Sequence, residues 1–267
     1  MKVMENTIKK NVKRGRPSQS INTSKFNPNM VKLIRGEDLI FSDSLLTPMK
    51  TSPQLDSILS SEEGLMPGVM MMVAGGPGSG KTTLTLDVLA RLTEQGLKVL
   101  FVSGEMDEVG HYKYCKRMPQ FNKVQTLFLK NHKDTVKETL EYVFNLGYDV
   151  IALDSIAEVL NMYKDSNNCT QRTAETFLIE LEDAQKKGNN IGKYYTTFIN
   201  IQQMTKAGDA SGSNRLKHMV DAFAFIEVDT EQVERTIKFE KNRDGGTGEK
   251  ISFSINTQGV EYGYGME

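Results

Sequence analysis

The stretch Gly75-Gly76-Pro77-Gly78-Ser79-Gly80-Lys81-Thr82 constrains this chain more than any other. It fits G-x-x-x-x-G-K-[ST], a loop whose successive backbone N–H groups close around a phosphate. Glycines are needed because a Cβ would clash at so close an approach. In this pattern Lys81 reaches the β- and γ-phosphates, and the Thr82 hydroxyl holds Mg²⁺. A helix beginning near Gly80 turns its unpaired amides and its dipole toward the same anion. The flanks agree with this reading. Val69 to Ala74 is a short apolar run, read as a buried strand, and Leu84, Val88, Leu89 and Leu92 recur at helical spacing. Strand, glycine loop and helix together predict a nucleoside triphosphate site made by residues Gly75 to Thr82 and the following Thr83, with ATP and Mg²⁺ as cofactors.

At 267 residues and a net charge of −1, the chain allows one large domain with a tail, and its overall charge predicts no partner. Polyanion binding would have to come from local basic patches. Cys115 and Cys169 lack metal-ligand spacing and suit a reducing compartment. No apolar run has membrane-spanning length, and the basic start is not followed by a signal-peptide core. A cytoplasmic location is therefore expected, in a bacterium or in the host of a phage.

Residues 1–30 are polar and poor in large apolar side chains, so they read as a flexible basic tail; residues 31–267 read as one ATPase domain. Within the tail, Lys13-Arg14-Gly15-Arg16-Pro17 resembles an AT-hook, in which Arg14 and Arg16 would enter the narrow minor groove of A·T-rich DNA. The alternative is a solvated basic tail. Thr51 to Leu59 predicts a short helix under the strand that leads into the glycine loop. Beyond the loop's helix the chain alternates. Strands are expected at Lys98–Ser103, Val124–Leu129, Asp149–Asp154 and Tyr195–Ile201, with helices from about Asp107, over Val136–Phe144 and over Ala174–Ala184. Such alternation implies a parallel sheet covered on both faces. Phe223–Val228, Arg235–Lys241 and Ile251–Ile255 follow one another across short turns, which predicts a C-terminal antiparallel extension.

Ligands of an open α/β sheet bind beyond the carboxyl ends of its strands. Asp154 ends one apolar strand and is placed to orient Mg²⁺. Glu105 ends another and is placed to polarise water for in-line attack. These motifs, in this order, resemble the RecA-like ATPases, most closely the RadA type. The likeness runs from about Met49 to Phe253. It includes Val102-Ser103-Gly104-Glu105, Leu153-Asp154-Ser155-Ile156, Met204 to Gly208 with His218 to Asp221, and Lys241-Asn242-Arg243-Asp244-Gly245, the last also similar to DnaB-type helicases. The resemblance implies that Glu105 is the catalytic carboxylate, with Lys81 gripping the phosphates. Gln203, where RadA carries His, would sense the γ-phosphate. Lys241 and Arg243 would act as fingers on the neighbouring subunit's ATP. It also implies two DNA-binding segments, Asn161–Arg172 and Met204–Lys217, the second bringing Lys206, Arg215 and Lys217.

Carried through, the resemblance implies a RecA-like P-loop fold: a mostly parallel sheet flanked by helices, with an antiparallel C-terminal extension. The expected activity is Mg²⁺-dependent, DNA-stimulated ATP hydrolysis in recombination, repair or replication, as helicase or branch-migration motor. The implied partners are single-stranded DNA, other copies in a ring or filament (six being the expected number), and replication or recombination proteins. No membrane is implied. RadA's N-terminal zinc module and C-terminal protease-like domain have no counterpart here, so a bare motor core with a basic tail is expected. The rival expectation is an ATP-switched assembly or loading factor of the helicase-loader or KaiC type, without motor activity.

Overall fold

The computed structural model describes residues 31–204, 214–229 and 234–265. The chain divides into two units, Met1–Phe41 and Ser42–Glu267. Of the first, the described residues are exposed and hold one 3-10 turn, Gly36–Asp38. The second unit carries the sheet and everything below concerns it.

Strand β1 (Met70–Gly75) is buried along its whole length and lies in the middle of the sheet. Its methionine run alternates between faces. Met71 and Val73 pack beneath α1 (Pro53–Leu59) and α2 (Lys81–Glu94), while Met70, Met72 and Ala74 join the core on the other face. Helix α1 starts where Ser52 accepts a hydrogen bond from the Leu55 amide at 3.3 Å and Pro53 supplies the first turn. The second core lies under α4 (Val136–Asn145), α5 (Ile156–Ser166) and α6 (Gln171–Lys186).

The remaining strands are β2 (Val99–Ser103), β3 (Gln125–Phe128), β4 (Val150–Asp154), β5 (Thr197–Gln203), β6 (Ala222–Asp229), β7 (Glu234–Asn242), β8 (Lys250–Asn256) and β9 (Gly259–Gly265). Their order in the nine-stranded sheet is β3-β2-β4-β5-β1-β6-β7-β8-β9. Strands β1 to β6 pair in parallel, and β7, β8 and β9 extend the sheet in antiparallel fashion. This is the expected α/β architecture. The parallel half puts the carboxyl ends of β1, β2, β4 and β5 at one edge, where Gly75, Ser103, Asp154 and Gln203 end their strands.

Three local differences from the sequence reading have physical causes. Strand β5 runs to Gln203 rather than Ile201, because Gln202 and Gln203 pair with Ala74 and Gly75 of β1 and Gln202 is buried despite its polarity. Most of Asn161–Arg172, expected as a DNA-binding loop, is helix. Ile156, Val159, Leu160 and Tyr163 bury one face of α5, and α6 begins at Gln171, which leaves only residues 167–170 between them. Strand β9 is an element that its glycines at 259, 263 and 265 concealed.

Candidate nucleotide site

The glycine loop spans from the end of β1 to the start of α2, with Gly78 at φ +72° and Gly80 at φ +95°. Both values lie in the left-handed region that L side chains rarely adopt. At Gly80 space is also short: a Cβ would stand 2.5 Å from Ile255 Cδ1 and 3.4 Å from Arg235 Nε. At Gly75 a Cβ would stand 2.8 Å from Ser79 Oγ. The loop is thus closed onto its own hydroxyl and onto β7 and β8.

Lys81 turns back over the loop, its Nζ donating to the carbonyls of Gly75 and Gly76 at 2.9 Å each. Burial lowers its pKa, and the nearby Asp154 and Glu105 carboxylates oppose that shift. Thr82 Oγ1 donates to Asp154 Oδ2 at 2.6 Å. Asp154 is pushed up to about 6, chiefly by burial. The Thr82 hydrogen bond and Lys81 pull it down, while Glu105 adds to the rise. Gly104 N donates to the Asp154 carbonyl at 2.7 Å, tying the ends of β2 and β4 together. Glu105, just past β2, is exposed, and its Oε1 accepts from Gln203 Nε2 at 2.8 Å. Lys130 Nζ donates to the Glu105 backbone carbonyl at 2.5 Å.

These residues line one cleft of about 360 Å³. Its far walls are Tyr114, Arg117 and Met118, at the end of α3 (Glu108–Arg117), and Arg235 with Ile255 on β7 and β8. A triphosphate fits the polar atoms present. Ser79 Oγ and Arg235 Nε are buried with no hydrogen-bond partner among the described residues, and two donors held beside a phosphate loop are matched by an anion. Thr82 and Asp154 offer the hard oxygen donors that Mg²⁺ takes alongside phosphate.

The structure therefore brings together Gly75 to Thr83, Lys81, Glu105, Asp154 and Gln203. It places Lys241 and Arg243 elsewhere. Strand β7 is antiparallel to β6, so Arg235 lies at the loop end of the sheet, while Lys241 pairs with Phe223, itself beside Met72. From Gly75 to Met72 is about 10 Å along the strand. Lys241 Nζ donates to the His218 carbonyl at 3.1 Å and also to the Val220 carbonyl. Arg243 NH1 pairs with Asp221 Oδ1 at 2.8 Å, while Lys186 and the Met70 amide occupy Asp221 Oδ2 at 2.6 and 3.0 Å. Burial alone would raise the Asp221 pKa; Lys186, Met70 N and Arg243 together hold it below its usual value.

Two expected DNA contacts are engaged within the fold. On α7 (Asn214–Met219), Arg215 NH1 donates to Thr176 Oγ1 at 2.9 Å. Lys217 pairs with Glu240 at 2.9 Å and lies 4.2 Å over the Phe223 ring. Lys206 and the tail residues Arg14 and Arg16 lie outside the described residues. The sequence reading missed Arg235, Ile255, Tyr114 and Arg117. Arg235 was legible only as one member of a strand, since its place over Gly80 depends on how β7 crosses the sheet.

Comparison with known proteins agrees with this geometry. The family model described as "ATPase: KaiC" matches residues 50–264. The DNA repair protein RadA of Campylobacter jejuni is 31% identical over 209 residues, covering 78% of this chain and 44% of the relative. The chain spans less than half the length of the curated relatives it matches. The KaiC-like protein PH0186 of Pyrococcus horikoshii superposes with a TM-score of 0.61 at 16% identity, covering 81% of this chain and 98% of that one. The RadB recombinase superposes with a TM-score of 0.58 at 20% identity, covering 80% and 98%. Among the described residues no helix is long and apolar enough to cross a membrane.

Proposed function

Because this chain belongs to the KaiC family of RecA-type ATPases, we propose that it is a Mg²⁺-dependent ATPase stimulated by single-stranded DNA. It acts in recombination, repair or replication as an assembly of like subunits. The observation that carries this reading is the ring of contacts at one sheet edge: Lys81 on the loop, Thr82 on Asp154, and Gln203 on Glu105. Bound Mg²⁺ would neutralise phosphate charge as the terminal phosphoryl group leaves. Thr82 and Asp154 would hold it, the Thr82 hydroxyl offering a lone pair to the metal while its O–H donates to Asp154. Lys81 releases two backbone carbonyls and turns to the phosphates. Glu105 accepts a proton from the attacking water, and Gln203, holding that carboxylate, relays the presence of the γ-phosphate to the segment after β5.

Lys241 and Arg243 stand at the sheet edge opposite their own loop, so any phosphate they serve belongs to a neighbouring copy. Supplied in that way, a cation near the γ-phosphate makes turnover conditional on assembly, at a gain of about 10³–10⁵ in rate for this chemistry. The segment Met204–Lys217, with Lys206, is the proposed DNA contact, while Arg215 and Lys217 anchor α7 to α6 and β7.

The deciding experiment measures ATP turnover with and without single-stranded DNA, and particle mass with a non-hydrolysable ATP analogue. Stimulation by DNA and a multi-subunit mass support the reading. A monomer that hydrolyses at full speed after Lys241→Ala and Arg243→Ala refutes the shared site. Retention of bound-state function by Glu105→Gln would instead identify an ATP-switched loading factor.

A further inference from the structure

Helix α3 leaves the end of β2 and has two faces. Tyr114 and Cys115 turn inward, with His111 beside Phe101 and Phe128. The outward face repeats at i, i+3, i+4 and i+7 and consists of Val109, Tyr112, Lys113 and Lys116. A solvated helix face carries polar residues; here Val109 and Tyr112 are 62% and 60% exposed. The Lys116 ammonium lies 5.2 Å over the Tyr112 ring, and Arg117 lies 4.7 Å over Tyr114.

Charge adds a second, independent observation. The chain as a whole is at −1, yet between Asp107 and Lys133 six lysines and arginines stand against two carboxylates, Asp107 and Glu108. Asp107 is occupied as the N-cap of α3, and Glu108 accepts from Asn131. The carboxylate that approaches from a neighbouring element, Glu94 on α2, is 3.4 Å from Lys123. Among the described residues Lys113, Lys116 and Lys133 form no ion pair. This flank ends the sheet, because β3 is its outermost strand.

We propose that the outer face of α3 is a docking surface for single-stranded nucleic acid, with Tyr112 as a stacking platform and Lys113 and Lys116 on flanking phosphates. Exposed aromatic rings set between cations are the chemistry by which proteins hold single strands without regard to sequence, since every base has a π-face. An acidic peptide would satisfy the lysines and leave the Tyr112 ring and Val109 in water. The surface is distinct in sequence from the segment expected to contact DNA, and its helix follows β2, the strand that precedes Glu105. Tyr112 follows Glu105 by seven residues along the chain. The assignment rests on the nucleic-acid reading above and adds a second contact to it.

The test is fluorescence anisotropy with a labelled oligothymidylate over a salt series, using the intact chain with ATP analogue. Lys113→Glu/Lys116→Glu is expected to weaken binding by about tenfold or more and to make the log–log salt slope shallower by about 1.4, two contacts at about 0.7 each. Tyr112→Ala is expected to cost about tenfold on the single strand and little on a duplex. ATP turnover without DNA stays unchanged, which shows that the variants fold. If the intact chain binds no oligothymidylate at all, both this proposal and the DNA stimulation fall. If Lys206→Ala weakens binding but the α3 variants do not, only the α3 surface falls. Equal competition by polyglutamate at equal charge would overturn it in favour of an acidic peptide. A reduced assembly mass of the α3 variants without DNA would overturn it in favour of a contact between copies.

Discussion

Replacing Gly80 with alanine separates two demands that the loop makes on one residue. The first is conformational. Gly80 sits at φ +95°, and a left-handed L residue costs about 1–2 kcal/mol. The second is steric, since the new Cβ would meet Ile255 Cδ1 at 2.5 Å. Ile255 must turn aside, and a side chain forced off its rotamer costs about 0.5–1.5 kcal/mol. Together they predict a loss of about 2–3 kcal/mol, which in a domain of this size lowers Tm by roughly 5–10 °C. Because the loop amides move with the backbone, affinity for a fluorescent ATP analogue should fall about tenfold or more. Ile255→Val deletes the offending methyl and leaves φ untouched. In that background Gly80→Ala should cost about 0.5–1 kcal/mol less, read as a double-mutant coupling in thermal unfolding. Unchanged Tm and affinity in Gly80→Ala would refute the account of the loop. Complete recovery by Ile255→Val would refute its conformational half.

Four further outcomes follow from single residues. Asp154→Asn should reduce metal-dependent turnover by about a hundredfold or more, measured at saturating ATP. In the unaltered protein Mg²⁺ affinity should weaken as pH falls below about 6, because a ligating carboxylate must be ionised; titration of metal at several pH values checks this. Glu182, on α6, is buried, accepts from Asn200 Nδ2 at 3.1 Å and is pushed up to about 8 by burial. Its contribution to stability is fully present below about 4.5, is lost as pH rises from there through about 8 and levels off above; Glu182→Gln should flatten the fall of Tm across that window. Tyr262 OH donates to the buried Asp87 Oδ2 at 2.9 Å, so Tyr262→Phe should cost about 1–2 kcal/mol in denaturant unfolding while leaving the loop intact.

Much of the site was readable because its chemistry and its geometry share one signal. A phosphate loop needs glycines at fixed spacing, and strand-ending acids such as Asp154 and Glu105 are exposed by the apolar runs they terminate. Elements with clean periodicity were found within a residue or two, among them β4 and α4. What escaped was whatever tertiary packing decides. Gln202 looks like a residue past the end of its strand until it is seen to be buried within it. Lys217 looks like a free cation until Glu240 is placed beside it, two strands later in the chain. Arg235 gains its meaning only because β7 runs antiparallel to β6 and so starts beside the loop, a contact between residues far apart in sequence.

Strand β7 offers a consequence of its own. From Arg235 to Lys241 is six steps of one extended segment, about 20 Å end to end. One tip faces the subunit's own glycine loop and the other faces away; if Lys241 and Arg243 serve a neighbour as proposed, a subunit is a vector, with a socket at one pole and a plug at the other. Copies joined through such poles cannot face each other as a two-fold pair; they must succeed one another, closing into a circle or winding on without end. An open row would then finish in one socket that no plug has entered, and its last bound nucleotide would outlive the rest.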